Sequence, residues 1–300
     1  MSTTAASEDL HRGVLEWYAL AARDLPWRRS DASAWGIFVS EVMLQQTPVA
    51  RVEPVWQAWM SRWPTPAALA QEAPGEAVRA WGRLGYPRRA LRLHAAAVAM
   101  VDNQGGEVPG TQAALLALPG VGTYTAAAVA AFAFGERTTV VDTNVRRVLA
   151  RVVGGAEYAA ASPTRAELAQ AAALVPLDPA TARVWSVAVM ELGALVCTAR
   201  APRCADCPVR RQCAWRLAGH PAYDGPARRG QAWHGTDRQM RGALLAVLRD
   251  EDGPVQPHQL EAVSGAAAQR ERCLDSLVAD GLVEPLADGR FALPGASEAG

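Results

Sequence analysis

Two carboxylates, a glycine turn and a run of cysteines carry most of the chemistry open to this sequence. Asp142 follows Val140-Val141 and precedes Thr143-Asn144, at the head of a predicted helix. Backbone N–H groups and the helix dipole there lower a carboxyl pKa and keep it charged. Glu41 lies among Val39, Val42, Met43 and Leu44, where desolvation raises a carboxyl pKa and keeps it protonated. Opposite environments assign opposite roles, a proton donor and a stabilising anion. Upstream of Asp142, Leu118-Pro119-Gly120-Val121-Gly122 reads as a tight turn between two helical segments. Its glycines let backbone N–H groups approach a bulky anion, for which a phosphate is the natural guest. The combination predicts a DNA-docking turn joined to a catalytic acid.

Cys197, Cys204, Cys207 and Cys213 follow the pattern Cys-x6-Cys-x2-Cys-x5-Cys within seventeen residues. Thiolates so close together suit a metal ion or an iron–sulfur cluster. Zinc sites usually show two close pairs, and only Cys204/Cys207 is such a pair, so spacing leaves both open. Arg200, Arg203, Arg210, Arg211 and Arg216 surround them, with Asp206 the one acid. Those arginines suit a net-negative cluster and could be presented to DNA. Cys273 stands apart on an apolar helix face and reads as packing.

All thirty basic residues among the 300 are arginine. Without lysine, the chain has no lysine side chain to form a Schiff base. Thirty acids bring the net charge to zero, yet residues 1–220 hold 22 arginines against 18 acids and residues 221–300 hold 8 against 12. A basic body therefore precedes an acidic tail. No apolar run is long enough to span a bilayer and no leader is evident, so a cytoplasmic protein without membrane contact is expected.

The elements that must position these groups are helices, because helical periodicity dominates residues 1–220. Helices are predicted over 10–22, 37–46, from Thr47-Pro48 to Arg62, twice between 64 and 93, and over 112–117, 145–153, 162–174 and 180–195. Thr47 is expected to cap its helix, with Pro48 at the first helical position. Between Arg79 and Arg92 there are five arginines and no acid, interleaved with glycines and Tyr86. This is either a solvated face or a phosphate-tracking patch to which Arg88 belongs. Residues 219–236 read as a linker. After it, three helices and a hairpin around Asp288-Gly289 spell a winged-helix-like module over 237–296.

Ser40-Glu41-Val42-Met43-Leu44-Gln45-Gln46-Thr47, Gly82 to Tyr86, Leu118 to Thr125, Val141 to Val148 and Glu191-Leu192-Gly193-Ala194 with the four cysteines together resemble the MutY family of adenine DNA glycosylases. That family is related to endonuclease III within the helix-hairpin-helix superfamily. The resemblance covers roughly residues 8–218. It implies an all-α fold of two domains, an iron–sulfur cluster domain (1–29 and 137–218) and a six-helix domain (30–136) containing the helix-hairpin-helix, with the active site in the cleft between them. A [4Fe-4S] cluster on the four cysteines is implied, as is a monomer acting on double-stranded DNA that carries adenine mispaired with 8-oxoguanine or guanine. Glu41 and Asp142 become the catalytic pair, with Tyr124 ordering the sugar or the attacking water. Gln45 and Gln46 probe the opened duplex, Gly120, Gly122 and Arg88 bind DNA, and Asn144 supports Asp142. Arg23 and Trp27 line the base pocket into which adenine is extruded. Endonuclease III-like enzymes carry a nucleophilic lysine where this chain has Tyr124, so a monofunctional glycosylase without lyase activity is expected.

The chain also departs from the family. Val187 stands where a Glu or Gln usually bonds adenine, and Pro87 replaces a tyrosine. The C-terminal module is too short for the family's NUDIX-like domain, and its acidity points to protein contact or packing. Two other readings remain: a related mismatch or damaged-base glycosylase with another base preference, and a non-enzymatic iron–sulfur DNA-binding regulator using the winged helix.

Overall fold

The computed structural model describes residues 3–225 and 233–295. The predicted linker falls partly outside them, as does the last residue of the predicted C-terminal module. The chain opens with α1 (Thr3–Ala21), α2 (Ala34–Met43), α3 (Val49–Arg62), α4 (Pro66–Ala70), α5 (Pro74–Trp81) and α6 (Arg88–Gln104). It continues through α7 (Gln112–Leu116), α8 (Thr123–Phe134), α9 (Thr143–Val152), α10 (Arg165–Ala173), α11 (Pro179–Leu195) and α12 (Ala214–Leu217). Last come α13 (Asp237–Asp250), α14 (Pro257–Glu261), α15 (Ala267–Ala279), β1 (Glu284–Pro285) and β2 (Phe291–Ala292). The fold is all-α but for that hairpin. No helix among the described residues is long and apolar enough to cross a membrane.

The chain divides into two compact units, one of residues 1–30, 110–116 and 122–227, the other of 31–109, 117–121 and 228–300. In the first, α1 and α9 pack on α11 around Leu10, Val14, Val148, Leu149, Trp185, Val189 and Leu192. Both α9 and α11 begin where sequence dictates. Asp142 caps the first, and Asp178 caps the second with Pro179 behind it, each filling orphan N–H groups. Helix α8 is buried from Thr125 to Phe132, as expected of a helix apolar all round. It groups with this unit rather than with α2–α6.

In the second unit, Trp59 packs edge-on against Trp63 and Trp81 at 4.9 and 5.7 Å between centroids, and α4 and α5 pack on α6. One local expectation fails here. Pro48, not Thr47, caps α3, because the Thr47 hydroxyl is used elsewhere, donating to Leu84 O and accepting from Arg89. The C-terminal module belongs to this unit and has the winged-helix form, with Val255 bridging Phe291 as a third strand position. It is bolted to α5. Arg249 Nε donates to Val78 O (2.9 Å), Arg79 donates to the carbonyls of Arg249 and Glu251, and Gly75 N donates to Pro294 O at 2.7 Å. A Cβ on Gly75 would lie 2.7 Å from that same oxygen, so glycine permits the contact. Burial drives the Arg249 guanidinium down to about 10, with the Val78 carbonyl as its hydrogen-bond acceptor.

Candidate functional site

Asp142 is the N-cap of α9. Its Oδ1 accepts from Val145 N and its Oδ2 from Asn144 Nδ2, both at 2.7 Å. The sequence predicts a lowered carboxyl pKa, and the structure reverses that direction. Burial pushes Asp142 above its ordinary range, overcoming the hydrogen bonds from Val145 and Asn144 and the Arg147 charge, which act the other way. Capping is a local property, but desolvation is set by residues packed around the cap, which spacing does not reveal.

Asn144 is itself held. Its Oδ1 accepts from Arg147 Nη2 at 2.6 Å, and Arg147 also donates to Gly193 O and Cys197 O, both at 2.7 Å. Helix α11 approaches this point because residue 193 is glycine; a Cβ there would lie 2.7 Å from Asn144 Cβ. A hydrogen-bonded path thus joins Asp142 to the backbone of the cysteine segment. Asn144, Arg147 and Arg151 recur at i, i+3 and i+7 on one face of α9, a pattern visible in the sequence.

The four cysteines form no disulfide and line a hollow of about 370 Å³ with Arg151, Leu192, Val196 and Trp215. Among the described residues no three His, Cys, Asp or Glu side chains converge closely enough to hold one metal ion. Arg151, 1% exposed, donates to Cys197 Sγ at 3.4 Å and to Thr198 O at 2.7 Å, and lies 4.8 Å over the Trp215 ring. Burial raises the Cys207 thiol to about 11, and the nearby Cys197, Cys213 and Cys204 add to the rise. Four thiolates here need a positive centre, so the donor set fits a metal ion or the iron core of an iron–sulfur cluster.

Arg23 and Trp27 are both fixed by the surrounding structure. Trp27 is buried in the 3-10 turn Pro26–Arg28. Arg23 grips the fully buried Glu191 through Nε (2.6 Å) and Nη2 (2.8 Å), and Arg28 Nη1 adds a third contact at 2.9 Å. Burial pushes the Glu191 carboxyl up, but the hydrogen bonds and charges of Arg23 and Arg28 prevail and hold it below its ordinary range. The sequence pointed to Glu191 only as part of a motif. Tyr124 sits half-buried in the first turn of α8.

In the second unit, Glu41 is 5% exposed on α2, a helix buried from Trp35 to Met43. Gln45 follows half-buried, and Gln46 is exposed in the left-handed region at φ 57°, a conformation that costs a non-glycine residue free energy. Gln45 lines a hollow of about 270 Å³ with Arg92, Pro119, Gly120 and Val121. Gly120 has φ +73°, and the Arg92 stem fills the space a Cβ would need. Gly122 has open space there and heads α8 without a side-chain cap, which leaves room for an anion at the helix start.

The five-arginine patch is not one surface. Arg89 is buried and donates to the carbonyls of Val42, Met43, Gln45 and Gly85 and to the Thr47 hydroxyl; burial lowers it to about 10. Arg79 braces the C-terminal module. For these two the phosphate-tracking reading is corrected, since Arg89 donates to backbone oxygens and the Thr47 hydroxyl, and Arg79 to backbone oxygens and the Glu76 carboxylate. Arg88 is ion-paired with Asp280 at 3.2 Å.

The family profile described as "HhH-GPD superfamily base excision DNA repair protein" matches residues 39–173. Fold and site thus define a helix-hairpin-helix protein of base-excision DNA repair. The chain is 58% identical over 288 residues to the adenine DNA glycosylase of Mycolicibacterium smegmatis, covering 96% of this chain and 97% of that one. It is 44% identical over 209 residues to the adenine DNA glycosylase of Homo sapiens, covering 67% and 38% respectively. A solved thermostable thymine-DNA glycosylase superposes with a TM-score of 0.66 at 27% identity, over 73% of this chain and all of that one. An endonuclease III trapped on DNA, at 22% identity and TM-score 0.62 over 74% of this chain and all of that one, shares the fold. The chain belongs to the adenine DNA glycosylases of the HhH-GPD superfamily.

Proposed function

We propose that this base-excision DNA glycosylase takes adenine from mispairs with 8-oxoguanine or guanine, with Glu41 as general acid and Asp142 as the carboxylate facing the sugar cation. The observation that carries the reading is a buried glutamate on a helix whose other residues, Ser40 apart, are apolar. An acid so placed can protonate adenine and make it a better leaving group. Asp142 is oriented at both oxygens, which suits stabilisation of a developing positive charge. Tyr124, at the start of α8, orders the sugar or the attacking water. Gly120, Gly122, Gln45, Gln46 and Arg88 face the duplex, with Gly122 heading α8 as an anion-binding helix start.

A panel of duplexes carrying A:8-oxoguanine, A:G, T:G and oxidised pyrimidines, scored before and after alkali, tests this. Release of adenine with strand breaks only after alkali is expected, since no lysine exists to form the imine of a lyase. Release of thymine without adenine would support the second reading, a mismatch glycosylase of another preference. That reading is favoured by Val187 and by 34% identity over 209 residues to a thymine-DNA glycosylase of Aeropyrum pernix.

Asn144→Ala is expected to lower the rate about tenfold at acid pH, the scale of a hydrogen bond to a charged group. Losing Nδ2 raises Asp142 further. Because the ionised form is the active one, the acid limb of the rate profile moves to higher pH. An unshifted limb would argue against Asp142 in this role.

Cys197, Cys204, Cys207 and Cys213 would hold a [4Fe-4S] cluster, which when bound supplies a rigid, charge-compensating centre for the segment between α11 and α12. A purified protein that is brown, with broad visible absorption, is expected. A colourless protein with stoichiometric zinc would refute the cluster.

A further inference from the structure

Arg88 opens α6, where the helix dipole disfavours a cation, and Asp280 closes α15, where it disfavours an anion. Each charge stands at the wrong end of its own helix, and the two face each other at 3.2 Å. Arg241 completes the group, its Nη2 lying 2.6 Å from the other Asp280 oxygen. The start of α6 has no side-chain cap. The N–H groups of Arg89 and Ala90 donate to Tyr86 O and Pro87 O, so it is the Arg88 guanidinium that draws an anion here, and the anion beside it is a carboxylate from the chain's own C-terminal module.

We propose that Asp280 is an electrostatic gate on DNA binding, occupying the Arg88 guanidinium in competition with a DNA phosphate. The proposal rests on the reading of Arg88 as DNA-facing. The module that carries Asp280 is bolted to α5 through Arg79, Arg249 and Gly75, which holds the carboxylate beside the start of α6. The Arg88 side chain is 56% exposed and that of Asp280 25%. Exposed ion pairs are weak, which lets a phosphate displace this one. Within the module, Arg272 pairs with Asp237, Arg241 with Asp280, and Arg270 donates to Val263 O and Gly265 O. Phosphate contacts carry no sequence information, so the gate lowers affinity for mispaired and matched duplexes alike.

The test is equilibrium binding of the full chain to an A:G duplex and its matched counterpart across a salt series, for wild type, Asp280→Asn, Arg88→Gln and the double variant. Asparagine keeps an acceptor for Arg241 and removes a charge that the α15 dipole disfavours, so the module keeps its seat. Asp280→Asn is expected to bind both duplexes about two- to fivefold more tightly. Its salt dependence steepens by about one phosphate contact, and both changes vanish in the Arg88→Gln background. A gain that persists without Arg88 is a general charge effect and overturns the gate. If Arg88→Gln weakens binding while Asp280→Asn changes nothing, the gate falls and the DNA-facing reading of Arg88 stands. If Arg88→Gln leaves binding unchanged, that reading falls and takes the gate with it.

Discussion

Glu41→Gln is expected to lower the single-turnover rate of adenine release by about 10²- to 10⁴-fold, the usual contribution of a positioned general acid. Glutamine preserves volume and hydrogen-bonding capacity, so a buried position on α2 tolerates it. What it lacks is the proton. Adenine then departs as a poor leaving group, and duplex binding, for which phosphate contacts at the Gly120 turn are proposed, stays near the wild-type level. The measurement is single turnover at saturating enzyme on an A:8-oxoguanine duplex, with binding followed in parallel. A loss below about tenfold would remove Glu41 from the role of acid. A parallel collapse of binding would show instead that the substitution had disturbed α2.

The second large effect is on stability. Glu191→Gln is expected to destabilise the chain by about 3–5 kcal/mol, the cost of breaking a buried ion pair from one side. The carboxylate is fully buried and takes contacts from both Arg23 and Arg28, so its loss strands two guanidinium groups. The lower end of the range applies, because the Arg23 and Arg28 side chains are 34% and 20% exposed and recover some water. The pH dependence has a definite sign. Glu191 is held below the ordinary carboxylate range, so its contribution is complete above the unfolded value of about 4.3 and is lost as pH falls through its folded value. The gap between wild type and variant in urea unfolding should therefore be full at neutral pH and close on acidification. A gap that is constant with pH would overturn the assignment.

Arg23 shows why part of the site was beyond sequence reading. Its partner lies 168 residues away, and nothing near residue 23 distinguishes a side chain that lines a pocket from one locked to a buried carboxylate. The same holds for the run from Arg79 to Arg92. Spacing and composition are alike for all five, yet Arg89 fills a cage of carbonyls, Arg79 braces the C-terminal module and Arg88 meets Asp280. Asp142 separates the two levels within one residue: its cap was legible from Asp-Thr-Asn at the head of an apolar-periodic segment, while the direction of its pKa was not, because burial outweighs the cap.

By itself the sequence determined what depends on near neighbours in the chain. The caps of α9 and α11, the glycine turn at 120–122, the cysteine spacing and the absence of a lysine nucleophile follow from residue type and from interactions a few positions long. Tertiary structure alone decided which oxygens the arginines hold, how far Asp142 is desolvated, that the thiols ring a hollow, and that the acidic C-terminal module docks on α5 with Asp280 against Arg88. Those outcomes depend on electrostatics and packing between segments remote in sequence, whose partners exist only once the chain has folded.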